Sequence, residues 1–409
     1  MKTTVIIALI GWMLSASTSF ADESVQYWMK IKAANKFERT LVAETGVTIE
    51  TVREDFVVAL GNEDEKQALE NLGILEVSFP MTAAMDFPAK DSAFHNYDEM
   101  TKKLQDLATA HPTIAKLSSI GKSNEGREIW AMRISGLLNQ ADTLPAAIFM
   151  GGHHAREHLS IELPIYYIDY LLTEYAKGNP RIQKLVNSRD IHIIPMVNPD
   201  GAEFDISTGA YKSWRKNRAH NHNGTFGVDL NRNYGFGWGG QGASTNPSSD
   251  TFRGPAAFSE PETQAIKKYV EAHENITVLL SFHTYSQLIL YPYGHIYGDI
   301  PIARDRQVHE VMAKKMATWN GYEPQKSSEL YLASGDTTDW SYGELKIISF
   351  TFELDPGNSG WGSGGFYPGA GIIPEVQKKN LEPVLYMIEY ADNPYRSIDE
   401  AGGGPIFKP

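Results

Sequence analysis

The sequence contains no cysteine. That absence removes disulfide frameworks, thiolate nucleophiles, Cys-held zinc and iron–sulfur clusters together, so any metal must be held by His, Asp and Glu. Beyond the N-terminal leader no run of 18 apolar residues occurs, and no membrane-spanning helix is expected. The 409 residues carry a net charge of −13 without a long Lys/Arg run. Nucleic acid and anionic membrane are therefore not expected as partners, because attraction to phosphate is the main sequence-independent term in such binding. There is no Gly-x-Ser-x-Gly elbow to supply a serine nucleophile. Gly121-Lys122-Ser123 lacks the glycine that a phosphate loop needs five residues earlier, where Lys116 stands, and no strand is expected to lead directly into it.

The first 21 residues have the layout of a secretory signal peptide: a positive start at Lys2, an apolar run from Val5 to Leu14, and small residues at Ser19 and Ala21 before Asp22. A secreted or periplasmic location is expected. Residues 22–80 read as a separate unit. Strands are expected at Tyr27–Ile31, Val47–Val52, Phe56–Leu60 and Ile74–Phe79, and helices at Ala34–Glu44 and, opened by Asn62, Glu63–Leu72. That order, βαββαβ, predicts a ferredoxin-like α+β unit. Residues 81–91, rich in Pro, Ala and Met, read as a linker.

From residue 92 to 395 long helices alternate with apolar strands. The strand candidates are Ile148–Met150, Ile191–Ile194, Ile276–Phe282 and Ile347–Leu354; the helix candidates are Tyr97–Ala110, Leu159–Tyr175, Pro261–His273, Ala303–Asn320 and Pro374–Tyr390. This predicts one large α/β domain with a mixed, mostly parallel twisted sheet and helices on both faces. Residues 396–409 read as a tail.

Chemistry gathers at strand ends. Gly151-Gly152-His153-His154-Ala155-Arg156-Glu157 follows Ile148–Met150 directly, and His154 with Glu157 forms a His-x-x-Glu pair able to share one zinc. Alone the pair has little weight, since roughly one is expected by chance at this His and Glu content. Its place gives it weight, because ligands in open α/β sheets gather at the carboxyl ends of strands. A second strand, Ile276–Phe282, ends at His283. Two His, one Glu and an open fourth position make a catalytic zinc arrangement.

Four segments carry a resemblance: His154-Ala155-Arg156-Glu157, Gly227-Val228-Asp229-Leu230-Asn231-Arg232-Asn233, Ser281 to Gly294, and Phe350-Thr351-Phe352-Glu353-Leu354. The chain resembles the zinc metallocarboxypeptidases of the carboxypeptidase A/B type from about His95 to Tyr390. His158 after Glu157, Ser249 to Gly254 and Ala257 to Glu262 resemble most the bacterial carboxypeptidase T branch.

The resemblance implies a hydrolase that removes C-terminal residues from peptides or proteins. One Zn2+ would be held by His154, Glu157 and His283. Glu353 would be the general base and Arg218 the cation that stabilises the oxyanion. Period-2 alternation places Thr351 and Glu353 on one face of their strand and Phe350 and Phe352 on the other. Asn231 and Arg232 would clamp the substrate carboxylate, Tyr331 would close over it, and Arg156 and Tyr285 would line the outer cleft. Asp229 would orient a zinc histidine. For Arg215, Arg156 and Tyr285 a solvated surface role is nearly as well supported.

In the family that the chain resembles, the position of Thr338 lies at the base of the side-chain pocket, where an acid favours Lys/Arg and an apolar residue favours apolar C-termini, and Thr338 fits neither rule. Asp336 could add negative charge beside it, so broad specificity is expected, apolar with some tolerance of basic residues. Calcium is a possible second ion with no site readable here. The N-terminal unit is expected to be an inhibitory pro-domain released by an activating protease; a folding chaperone or a permanent accessory domain is the alternative. A monomer is expected. Related enzymes cut diaminopimelate-containing cell-wall peptides, but no wall-binding repeat is visible; a non-catalytic peptide binder would be expected to lose Glu353 or a metal ligand, and all are present.

Overall fold

The structure, a computed structural model, describes residues 27–80, 85–86, 91–206, 210–357 and 365–401. The expected signal peptide lies outside these residues, as do most of the linker and the last part of the tail. In the N-terminal unit β1 (Tyr27–Lys32), β2 (Thr48–Val52), β3 (Phe56–Gly61) and β4 (Leu75–Pro80) form an antiparallel sheet in the order β2-β3-β1-β4. Helices α1 (Lys36–Glu44) and α2 (Glu63–Asn71) start where Asn35 and Asn62 cap them, and Glu65 completes a capping box with Asn62. Met29, Ile31, Val42, Ile49, Val57 and Leu69 form a small core of their own. This is the expected ferredoxin-like unit.

A two-residue strand, β5 (Met85–Asp86), pairs with β10 (Ala210–Tyr211). The large domain is built on an eight-stranded sheet of β6 (Ala115–Lys122), β7 (Glu128–Ile134), β8 (Ala146–Met150), β9 (Asp190–Ile194), β11 (Ile276–Thr284), β12 (Leu288–Tyr291), β13 (Glu323–Lys326) and β14 (Ile348–Leu354). Its order is β13-β12-β14-β11-β8-β9-β7-β6. The central pairs β14·β11, β11·β8 and β8·β9 and the edge pair β12·β13 are parallel; β12·β14, β7·β9 and β6·β7 are antiparallel. β6 runs through Gly121 and Lys122, where no strand was expected, so those residues form part of a sheet edge rather than a phosphate loop.

The strand side chains alternate between two cores. Phe149, Leu280, Phe282, Phe350 and Phe352 join one core with α3 (Tyr97–Ala110), α4 (Leu159–Ala176), α5 (Pro180–Ser188), α8 (Ala303–Asn320) and α11 (Ile373–Tyr390). Ile148, Met150 and Leu279 face the other, with α7 (Pro261–Glu271) and α10 (Thr337–Leu345). Shorter helices are α6 (Pro199–Ile206), α9 (Ser327–Leu330) and α12 (Arg396–Glu400). The last opens the expected tail, and its Ile398 is buried in the first core. Among the described residues no helix is long and apolar enough to cross a membrane.

Candidate active site

Strands β8, β11 and β14 are parallel neighbours, and their carboxyl ends converge. His283 on β11 is in register with Glu353 on β14, while the chain leaving β8 turns sharply through Gly151 and Gly152. A Cβ on Gly151 would fall 2.0 Å from the Ser160 carbonyl oxygen, and Gly152 adopts φ +67°, so the turn requires glycine. It delivers His154 and Glu157 beside His283.

Among the described residues, His154, Glu157 and His283 form the one group of three His, Asp or Glu side chains whose donor atoms all lie within 4.8 Å of one another. His154 Nδ1 lies 2.7 Å from Glu157 Oε1, His283 Nδ1 lies 3.0 Å from Glu157 Oε2, and the two Nδ1 atoms are 3.1 Å apart. Zinc–nitrogen bonds of about 2.0–2.1 Å at tetrahedral angles would set such nitrogens about 3.3 Å apart. The outer nitrogens are already committed, His154 Nε2 to Asp229 Oδ1 and His283 Nε2 to Ser281 Oγ, both at 3.1 Å. That leaves both Nδ1 lone pairs facing the centre, so the donor set fits zinc. Burial pushes the Glu157 carboxyl up, but the facing His154 and His283 outweigh it and hold it well below the usual range.

Around the ligands the cleft is lined by Arg215, Asn231, Arg232, Tyr285, Leu290, Tyr331, Ala333, Asp336, Thr338, Thr351, Glu353 and Phe366. Thr351 and Glu353 share one face of β14, as the alternation predicts. Burial, with repulsion from Glu157 and Glu50, drives the Glu353 carboxyl well above its usual range despite Arg215 and Arg232. Arg232 is buried and donates through Nε to the Gly242 carbonyl and through Nη1 to the Asn231 carbonyl, each at 2.8 Å. Asp336 caps α10: its Oδ1 accepts from the backbone N–H groups of Thr338 and Asp339 and from Thr338 Oγ1. Its Oδ2 is buried without a hydrogen-bond partner, and burial together with Asp339 raises its pKa.

Arg218 is not brought into the site. Its guanidinium stacks 3.6 Å over the Phe204 ring, and its Nε lies 3.7 Å from Glu125. Arg215, three residues earlier, occupies the cleft instead. It is buried, meets Asp229 Oδ2 through Nε and Nη2 at 2.9 Å, and approaches Glu157 Oε1 to 3.9 Å. Its carbonyl accepts from the Ala155 N–H, which ties it to the turn that carries the ligands. Arg156 is also buried, but its Nη2 donates to Glu50 of β2 at 3.0 Å and its Nη1 to Asp250 at 3.0 Å. Tyr285 packs edge-on against Phe366. Glu50 itself was missed: nothing in Thr48–Val52 marks one residue as entering a cleft.

Two imidazoles and one carboxylate with open space beside them are the donors of a metal-dependent hydrolase. Comparison with known proteins gives the family. The profile of the zinc carboxypeptidase family matches residues 100–383. A "Zinc carboxypeptidase" of Saccharothrix mutabilis subsp. capreolus is 36% identical over 403 residues, covering 92% of each chain. "Carboxypeptidase A5" of Macaca fascicularis is 31% identical over 369 residues, 88% of this chain and 80% of its own. The crystal structure of carboxypeptidase A from Helicoverpa armigera superposes with a TM-score of 0.75 at 26% identity, over 91% of this chain and 98% of that one. The chain belongs to the zinc carboxypeptidase family, hydrolases that act on peptide C-termini and use zinc.

Proposed function

We propose that the chain is an exported zymogen, and that cleavage of the 81–91 segment by an activating protease frees a carboxypeptidase of broad specificity. The observation that carries this reading is Glu50. The N-terminal unit inserts this carboxylate into the cleft, where it is buried and bonded to Arg156. The same unit grips the segment around Tyr331. Arg39 donates to the carbonyls of Glu329 and Leu330, Thr40 Oγ1 accepts from the Leu332 N–H, and Lys36 pairs with Glu329. The overlap with the insect structure covers 91% of the chain, more than residues 92–409 could supply, so it extends into the N-terminal unit. The apolar leader in residues 1–21 supports export.

His154, Glu157 and His283 would hold zinc, which would supply a water of lowered pKa and a polarised scissile carbonyl. Glu353 takes the water's proton and passes it to the departing amine. Arg215, fixed on Asp229, opposes the negative charge that grows on the carbonyl oxygen. Asn231 and Arg232 receive the terminal carboxylate, with Arg232 braced by the Gly242 and Asn231 carbonyls. Tyr331 closes over the bound residue.

The side-chain pocket combines Leu290, Ala333 and Thr351 with the unpartnered Asp336 oxygen. A carboxyl with a raised pKa accepts an apolar neighbour while protonated and ionises beside an ammonium or guanidinium. One pocket thus serves both kinds of C-terminus.

The test uses purified protein before and after cleavage in the 81–91 segment, with peptides ending in Leu, Phe, Lys, Arg and Glu and with a C-terminal amide. Single residues should be released only from free carboxylates and only after cleavage. Leu and Phe should lead, Lys and Arg should follow, and a chelator should stop all release. Equal activity of the uncut chain would refute the zymogen reading, and release from the amide would refute the clamp.

A further inference from the structure

His153 holds no metal and touches no substrate, yet it is fully buried and its ring stacks on that of His283, centroids 5.5 Å apart and 21° from parallel. With a metal on His283, one consistent direction of the hydrogen bonds through His153 joins the metal side to the recognition side. A metal at His283 Nδ1 takes that lone pair, so the ring proton sits on Nε2, which donates to Ser281 Oγ at 3.1 Å. Ser281 then gives its own proton to His153 Nδ1 at 3.4 Å. In that arrangement His153 carries its proton on Nε2, which faces Thr337 Oγ1 at 3.2 Å and Tyr234 Oη at 2.9 Å. Thr337 donates twice to Asn231 Oδ1, through its hydroxyl at 2.8 Å and its backbone N–H at 3.0 Å. With its amide oxygen occupied, Asn231 has its amide nitrogen to offer a carboxylate. The other metal histidine reaches the same residue by a shorter path, because the Asp229 oxygen that meets His154 Nε2 also accepts from the Asn231 N–H at 3.0 Å.

We propose that His153, Ser281 and Thr337 are positioning residues that tie the ring orientation of His283 to the amide orientation of Asn231. Metal binding and recognition of the substrate carboxylate are thereby coupled through the protein. The coupling rests on the roles given above to the metal set and to Asn231. It is reciprocal: whatever orders Asn231 favours the metal, and the metal orders Asn231.

The test is the zinc dissociation constant of the full-length chain, measured by competition with a chromophoric chelator, which needs no turnover. His153→Leu should weaken zinc binding about tenfold or more, in the range expected when a partner of a ligating histidine is lost. Thr337→Val should weaken it about threefold although Thr337 touches no ligand, and Thr337→Ser, which restores the hydroxyl, should recover it. A residue that only fills space would not give this pattern. In the cleaved enzyme Thr337→Val should raise KM for a peptide with a free carboxylate and leave kcat nearly unchanged. Should His153→Leu fail to fold, the near-isosteric Thr337→Val decides alone. Wild-type zinc affinity in Thr337→Val, in a chain whose wild type binds one zinc, overturns the coupling. A wild type that takes up no zinc overturns the metal reading and the coupling with it.

Discussion

The two ends of the cleft are built on different principles. The metal end stands on three adjacent parallel strands, and each ligand is braced by a residue of the same domain: His154 by Asp229 and His283 by Ser281. Thr284 N–H supports Glu157 Oε2 at 3.1 Å. The recognition end stands on loops and on the first turn of α10. It keeps a buried carboxylate oxygen without a partner at Asp336, and its Tyr331 segment is fastened by the N-terminal unit. Strand ends give the precision that proton transfer and charge stabilisation require. Loops give a recognition end that the sheet constrains less and a segment that the N-terminal unit holds through Arg39.

Substitutions can sharpen this contrast. Arg215 belongs to the strand-braced end, so Arg215→Ala should lower kcat/KM by roughly 10²–10³, the usual cost of losing a group that stabilises an oxyanion. Arg218→Ala, stacked on Phe204 outside the cleft, should leave kcat/KM within about threefold, because the change lies away from the reacting groups. The reverse order in steady-state assays of the two variants would remove Arg215 from its role. At the recognition end, Asp336→Asn keeps the cap on α10 while removing the charge. The ratio of Arg to Leu release should fall about tenfold, with kcat on Leu peptides preserved; an unchanged ratio would mean that Asp336 does not read the side chain.

The smallest effect concerns the N-terminal unit. Burial pushes Glu50 up to about 8, with Arg156 and Arg215 opposing the shift and Glu157 and Asp250 adding to it. Glu65 is also pushed up to about 8 by burial, beside Asp250 and Lys216. A carboxyl whose docked pKa exceeds its free value supports docking fully below the free pKa, near 4.3, and loses that support as pH rises through the docked value. The cleaved N-terminal unit should therefore inhibit severalfold more weakly at pH 8 than at pH 6. An inhibition constant that does not vary with pH would break the link between Glu50 and docking.

What could be read in advance follows the same division. Ile148–Met150, Ile276–Phe282 and Ile347–Leu354 were legible because central strands buried on both faces are continuous apolar runs. The edge strands were not: β6 reads Ala-Lys-Leu-Ser-Ser-Ile-Gly-Lys and β13 Glu-Pro-Gln-Lys, and an edge exposed to water imposes no apolar pattern. His154, Glu157 and His283 could be placed because His283 lies near the end of β11 and the other two in the turn that leaves β8, and the structure brings them together. Arg218 was misplaced because Trp214 to Arg218 is an irregular loop, where no period tells which of two arginines turns inward. Only the fold supplies the deciding contact, the Ala155–Arg215 backbone bond. Glu50 was invisible for a related reason, since its partner Arg156 lies 106 positions away.

The central proposal is that Glu353 acts as the base beside a metal that does not depend on it. The most direct measurement is kcat of the cleaved Glu353→Gln variant, with zinc content determined on the same sample. One zinc per chain, as in the wild type, and a loss of about 10² or more in kcat are expected. Full zinc occupancy with kcat within about tenfold of the wild type would contradict it.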